Sequence, residues 1–314
     1  MSRVIPFLAE LTHDEKTAWL EALRKALSTY KVAPLGELTA AQRASAEVAI
    51  VANPDPTDLS ALPNLKWVQS LWAGVERLLA ETSEANFAIV RMTDPQLAET
   101  MAEAVLAWTL YLHRDMPRYR AQQVARMWRQ HPLLLPGQRT VGLLGLGNMG
   151  KLAAKRLVQQ GFPVCGWSRS HATVEGIATF SGDEGFTQVL QRSLILVCLL
   201  PLTSQTRGLL NHQSLAWLPR GASLINFARG PILNTAALLD HLNRGHLYHA
   251  VLDVFDEEPL PLQSLLWSHP GITVLPHISA PTHKQTASLM VAHNIDRFFA
   301  TREIPVSVDR TLGY

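Results

Sequence analysis

Three side chains suited to proton transfer and anion binding lie where apolar runs give out. Arg229 follows Ser223–Phe227, Glu258 follows Ala250–Phe255, and His277 follows Ile272–Leu275. A guanidinium offers planar, bidentate donors to a carboxylate. An imidazole exchanges protons near neutral pH, and a carboxylate beside it holds the ring and favours its charged form. Taken singly, each has an ordinary explanation: a solvated loop arginine, an acidic turn of Asp253, Asp256, Glu257 and Glu258, and one of twelve histidines. Their joint placement points to one site, because ligands of open α/β sheets bind beyond the carboxyl ends of strands.

A fourth feature supplies phosphate chemistry. Thr140–Leu144 reads as a short buried strand, and Gly145-Leu146-Gly147-Asn148-Met149-Gly150 follows it with the spacing G-x-G-x-x-G. Lys151–Gln160 then has helical periodicity and stops at Gly161. In a dinucleotide loop Gly145 permits the tight turn, Gly147 lets the backbone approach a pyrophosphate, and Gly150 allows close packing of the helix. The helix start adds unpaired N–H groups and the positive end of a dipole.

These residues require a scaffold of alternating strands and helices, and the chain has that rhythm. Arg3–Leu8, Val48–Ala52, Lys66–Leu71 and Ala88–Met92 read as strands of a first, small parallel unit. A helix over Asp14–Leu27 is capped by Thr12 or Asp14. The turn Ala73-Gly74-Val75 is either an anion cradle of backbone amides or an ordinary strand–helix turn. Asp94-Pro95 marks a candidate hinge, followed by a buried helix over Glu99–Arg114 and a basic one over Arg118–Arg129. Beyond the glycine loop, strands are expected at Val164–Trp167, Leu194–Leu200, Ser223–Phe227, Ala250–Phe255 and Ile272–Leu275, and a final helix over His283–Phe299. With the strand before the glycines, that makes six strands, a doubly wound parallel sheet.

Length and composition set the limits. At 314 residues two domains are expected. A chain 47% hydrophobic and 17% charged, with net charge +2, gives no reason to invoke nucleic acid or a membrane surface. Met1–Glu10 lacks the features of a signal peptide. The two cysteines, Cys165 and Cys198, sit in apolar strand-like runs and read as buried hydrophobes, with no zinc spacing, no metal site and no disulfide framework. A reducing cytoplasm fits.

The runs L-L-G-L-G-N-M-G, I-N-F-A-R-G, L-D-V-F-D-E-E-P-L-P and L-P-H-I-S-A resemble the D-isomer-specific 2-hydroxyacid dehydrogenase family. W-S-R-S at 167–170, L-W-S-H-P at 266–270 and the terminal V-D-R-T-L-G-Y resemble its glyoxylate/hydroxypyruvate reductase A branch. The resemblance spans Pro95 to the C-terminus; earlier residues match in layout only. It implies a Rossmann-type cofactor domain, 97–283, inserted into a flavodoxin-like substrate domain of 1–96 plus 284–314. It also implies a homodimer and an active site in the cleft between domains. The substrate would be a small 2-oxo acid, reduced to the 2-hydroxy acid. Arg229 then resembles the arginine that grips the substrate carboxylate and ketone, His277 the proton donor, and Glu258 its carboxylate partner. Asp253 resembles the residue bonding the nicotinamide carboxamide, and the Ala73, Gly74 and Val75 amides a second grip on substrate. Leu200, Pro201, Thr206 and Ala228 join the glycine loop, Asn148 and Met149 among the cofactor contacts.

Two departures from the family pattern carry information. Where an acidic residue would hold the ribose hydroxyls stands Ser168-Arg169-Ser170, which suits a 2′-phosphate and hence NADP(H) over NAD(H), unless Arg169 is a surface arginine. Trp72 replaces a glycine before Ala-Gly-Val, and either narrows the substrate pocket or packs into the core. The expected activity is NADPH-dependent reduction of glyoxylate, hydroxypyruvate or a similar acid. The alternatives are the same chemistry on a bulkier 2-oxo acid and a nucleotide-sensing corepressor; no partner-binding tail supports the latter.

Overall fold

The computed structural model describes residues 3–170 and 172–313. The chain forms two compact units, Met1–Leu97 with Thr282–Tyr314, and Ala98–Pro281.

The first unit carries five parallel strands: β1 (Val4–Ala9), β2 (Lys31–Pro34), β3 (Val48–Ala52), β4 (Trp67–Ser70) and β5 (Ala88–Val90). Their spatial order, β2-β1-β3-β4-β5, is the flavodoxin-like one. The two-residue period of a strand sorts their side chains onto two cores. Ile5, Phe7, Val48, Ile50 and Trp67 pack with Trp19 and Leu23 of helix His13–Ala26 and with Val291, Ile295 and Phe298 of helix Lys284–Thr301. Leu8, Ala49, Val51, Val68 and Ile89 turn the other way, toward Leu59, Leu62 and Leu78. The first helix is capped by Thr12, whose hydroxyl accepts from the Glu15 N–H while the Glu15 carboxylate accepts from the Thr12 N–H.

The second unit carries seven: β6 (Val141–Leu144), β7 (Val164–Trp167), β8 (Ala178–Phe180), β9 (Ile195–Cys198), β10 (Ala222–Asn226), β11 (Leu247–Leu252) and β12 (Ile272–Val274). The order β12-β11-β10-β9-β6-β7-β8 is the Rossmann arrangement with one strand added at the far edge. This Rossmann-type unit is inserted in sequence between the two segments of the first. One face buries Leu196, Cys198, Leu224 and Leu252 under Val189, Leu190, Leu215 and Leu238. The other buries Val141, Leu143, Val197 and Ile225 under Met101, Val105, Ala153 and Leu157. Cys165 and Cys198 are buried free thiols, and burial pushes the Cys198 thiol up to about 12.

The sequence-based expectations need four corrections. Each sheet has one strand more than expected, β2 and β8, and both are edge strands of four and three residues. Lys31 and Ala178 are exposed, so neither strand shows the apolar run that buried parallel strands require. Pro34 is tolerated because an edge strand has one side with no ladder to complete. Third, Asp94-Pro95 opens a helix: Pro95–His113 begins before the expected Glu99, with Asp94 Oδ1 accepting from the Gln96 N–H at 3.0 Å and proline at the first helical position. Fourth, the basic helix is shorter, Met116–Val124, and is followed by a stretch exposing Met127, Trp128, Leu133 and Leu135. Among the described residues no helix is long and apolar enough to cross a membrane.

Candidate active site

The candidate site residues of the second unit stand beyond the carboxyl ends of its strands. Gly145 directly follows β6, and its φ of +105° and the Leu199 carbonyl oxygen, 2.9 Å from an added Cβ, both demand glycine. A Cβ on Gly150 would collide with the Gly145 carbonyl oxygen, so this glycine lets helix Asn148–Gln159 close onto the loop itself. Gly147 differs: an added Cβ would meet nothing within 4 Å. No protein neighbour requires glycine there, and the open space over the backbone suits the approach of a ligand. Gly147 is also the N-cap of that helix and brings no side-chain cap, so the first-turn amides face the same space, edged by exposed Asn148 and half-buried Met149. These features fit a dinucleotide pyrophosphate.

Beyond β7, Ser168 Oγ donates to the Ser170 carbonyl at 2.7 Å, and the Ser168 N–H bonds Phe180 O at 3.2 Å. That closes a short turn presenting exposed Arg169. Beyond β9, Leu200 is buried and Thr206 folds inward, its hydroxyl donating to Pro201 O at 2.7 Å. Thr206 thus shapes the 201–206 loop.

β10 ends at Asn226, fully buried, which sequence reasoning did not single out. Its Oδ1 accepts from the Ala228 N–H and its Nδ2 donates to the Arg229 carbonyl, both at 3.2 Å. The only signal for it was an asparagine at a strand end before a turn. Arg229 is half-buried, and its Nη1 donates to Ala228 O at 2.6 Å. Gly230 lies so close to the backbone of Phe255 and Asp256 that any Cβ would collide, which draws the Arg229 turn against the loop after β11.

That loop holds the other two groups. Asp253, 2% exposed, accepts the Ile278 N–H on Oδ1 at 2.7 Å and the Ser279 N–H on Oδ2 at 2.9 Å. Glu258 Oε1 accepts from the Phe255 N–H at 2.9 Å, and its Oε2 lies 2.7 Å from His277 Nδ1. His277 has a φ of +54°, the left-handed region that non-glycine residues rarely occupy. With Nδ1 committed to Glu258, Nε2 is the nitrogen that can meet a substrate oxygen. Both side chains are partly exposed, 51% for His277 and 35% for Glu258, so a reactant can reach them. Such a site can bind a carboxylate on Arg229 and deliver a proton from His277.

In the first unit, Trp72 follows β4. Its N–H bonds Ser70 Oγ at 3.0 Å, and its ring meets Trp19 edge-to-face at 6.0 Å against the core. Ala73 and Gly74 are half-buried, and buried Val75 caps the short helix Glu76–Glu81.

Comparison with known proteins agrees with this architecture. The family described as "D-isomer specific 2-hydroxyacid dehydrogenase, NAD binding domain" matches residues 106–279. A glyoxylate/hydroxypyruvate reductase A from Yersinia enterocolitica is 36% identical over 309 residues, 96% of this chain and 97% of that one. A D-isomer specific 2-hydroxyacid dehydrogenase from Xanthobacter autotrophicus, solved with NADPH and MES, superposes with a TM-score of 0.93 at 36% identity, covering all of both chains. An NADPH-dependent glyoxylate/hydroxypyruvate reductase from Sinorhizobium meliloti, solved with NADP and sulfate, gives 0.91 at 32% identity over 99% of each. The chain belongs to the D-isomer specific 2-hydroxyacid dehydrogenase family.

Proposed function

We propose that the protein is an NADPH-dependent reductase of a small 2-oxo acid, of the glyoxylate or hydroxypyruvate type, with His277 as the proton donor. The observation that carries this reading is the 2.7 Å pairing of His277 Nδ1 with Glu258 beyond adjacent strand ends, which leaves Nε2 for a reactant. The reduced nicotinamide supplies the hydride. Arg229 binds the substrate carboxylate and polarises the ketone, as a bidentate guanidinium can. His277 gives its proton to the ketone oxygen, and Glu258 holds the ring in place. In the reverse direction the neutral imidazole takes the hydroxyl proton.

Gly145, Gly147, Asn148, Met149 and Gly150 hold the pyrophosphate, and Ser168, Arg169 and Ser170 hold a 2′-phosphate. Leu200, Pro201, Thr206, Ala228 and Asp253 complete the cofactor contacts. NAD(H) is a weaker second cofactor. Residues 97–283 form the cofactor domain, and 1–96 with 284–314 the substrate domain, to which Ala73, Gly74 and Val75 contribute carboxylate-binding amides and Trp72 a side chain beside them. The exposed apolar stretch with Met127, Trp128, Leu133 and Leu135 supports a homodimer that covers it. The two free, buried thiols suit a reducing cytoplasm. A steady-state screen of 2-oxo acids with NADPH and NADH tests the reading. Glyoxylate or hydroxypyruvate with NADPH should give the highest kcat/KM, and absence of turnover with every acid would overturn it.

A further inference from the structure

Beneath the candidate site lie two buried polar residues at the ends of neighbouring strands, and each is bonded to the turn that carries one functional side chain. Asn226 ends β10, Asp253 immediately follows β11, and the Asp253 N–H donates to the Asn226 carbonyl at 3.1 Å. Asn226 is 0% exposed and Asp253 2%. Groups so deeply buried are costly unless every polar atom is used. Here their polar atoms are bonded to backbone. Asn226 brackets the Arg229 turn from both sides, accepting from Ala228 and donating to Arg229 O. Asp253 takes the two consecutive N–H groups that follow His277. A carboxylate accepting two backbone N–H groups makes charge-assisted bonds, about twice as strong as neutral ones. Those bonds fall directly after His277, whose φ of +54° is unfavourable for a residue bearing a Cβ. Such a conformation persists only where its surroundings enforce it.

We infer that Asn226 and Asp253 are positioning residues with separate duties, Asn226 for the anion-binding Arg229 and Asp253 for the proton donor His277. The inference rests on the reading of Arg229 and His277 given above. It also gives Asp253 a duty beyond cofactor contact, since both its oxygens are already engaged by the His277 turn. A displacement of about 1 Å at a reacting group can cost on the order of a hundred-fold in rate, so loosening either turn has a kinetic signature. Because the two turns carry different chemistry, the signatures differ.

The test uses the full chain and two near-isosteric variants. Asn226→Asp keeps the acceptor for Ala228 but sets a carboxylate oxygen against the Arg229 carbonyl. Asp253→Asn keeps one acceptor but sets an amide N–H₂ against a backbone N–H. For each, kcat and KM are measured with NADPH and glyoxylate, together with the Kd for NADPH by fluorescence, the melting temperature and the solvent deuterium isotope effect on kcat. Asn226→Asp should raise KM by about ten-fold or more with kcat changed less than about three-fold, as loss of ground-state grip does. Asp253→Asn should lower kcat by about ten-fold or more, enlarge the solvent isotope effect as proton delivery becomes limiting, and leave the KM for glyoxylate within about three-fold.

The inference is overturned if either variant leaves its own parameter within about two-fold of wild type, or if both move kcat and KM alike in step with lost melting temperature. It is also overturned if Asp253→Asn weakens NADPH binding while kcat holds, the signature of a cofactor ligand. Asn226→Ser and Asp253→Ser stand in if the first variants do not fold, with the same expected split. Arg229→Ala and His277→Ala are run alongside. If they retain full reduction the functional reading itself fails, whereas their loss beside unaffected Asn226 and Asp253 variants sinks only the positioning roles.

Discussion

His277 Nδ1 and Glu258 Oε2 stand 2.7 Å apart although the two residues come from loops after different strands. The pair makes a definite kinetic demand. His277→Ala should cut reduction roughly a hundred- to ten-thousand-fold, the usual worth of a general acid, while NADPH binding followed by fluorescence survives. In Glu258→Gln the ring loses the carboxylate that holds it in place. Reduction should fall roughly ten-fold or more through misplacement of the ring, and a rate equal to wild type would remove Glu258 from the proton-transfer step.

Arg169 sits exposed on the turn closed by Ser168 and Ser170. If it reads a 2′-phosphate, Arg169→Ala should weaken NADPH binding roughly ten- to a hundred-fold, as loss of a charge-assisted contact does, with NADH use nearly unchanged. Titrating both cofactors into wild type and variant checks this. Equal losses for the two would place Arg169 elsewhere than at the phosphate.

Trp72 makes a testable distinction between scaffold and site. Its ring packs on Trp19 but is only half-buried, so Trp72→Ala should cost about 2–3 kcal/mol, below the range for a fully buried tryptophan. Thermal or denaturant unfolding reads that loss. A change in the ranking of 2-oxo acids by kcat/KM would add a specificity role; an unchanged ranking limits Trp72 to the core.

Acid should act on the two units through different groups. Glu47 makes paired contacts with Arg302 at 2.9 and 2.6 Å and meets Lys66 at 2.8 Å. Arg302 first, then Lys66, holds its carboxyl down at about 2 instead of 4.5. A folded-state value below the unfolded one means the stabilisation is complete above about pH 4.5 and is lost as pH falls toward 2. The stability gap between wild type and Glu47→Gln should therefore close over that range. His249 acts in the same direction through a different cause. Burial lowers it from 6.5 to about 4, so between those values the unfolded chain takes up the proton first and folding weakens as pH falls. His249→Gln should flatten that part of the pH–stability curve, measured by thermal unfolding.

Much of this site was legible in the chain, for reasons of local physics. Buried parallel strands must be short apolar runs, so β3, β6, β7, β9 and β10 stood out within a residue or two. The glycine spacing was legible because Gly145 answers to its own φ of +105° and Gly150 to a clash with the Gly145 carbonyl oxygen, both inside one contiguous loop. Edge strands β2 and β8 escaped, since half-exposed strands carry no such run. Helix Pro95–His113 begins earlier than its apolar periodicity indicates, because the proline is its first residue and not a break.

The residue types at Arg229, Glu258 and His277, and the family to which they belong, follow from the sequence alone. Spacing along the chain also sets which strand end each occupies. What the sequence could not decide is which polar atom each side chain would reach, because that depends on groups brought together from distant stretches. Asp253 meets the 277–279 turn, Glu258 reaches His277, and Trp72 leans on Trp19. Only tertiary packing selects those partners, since a buried polar group takes whichever donor or acceptor the folded backbone sets beside it.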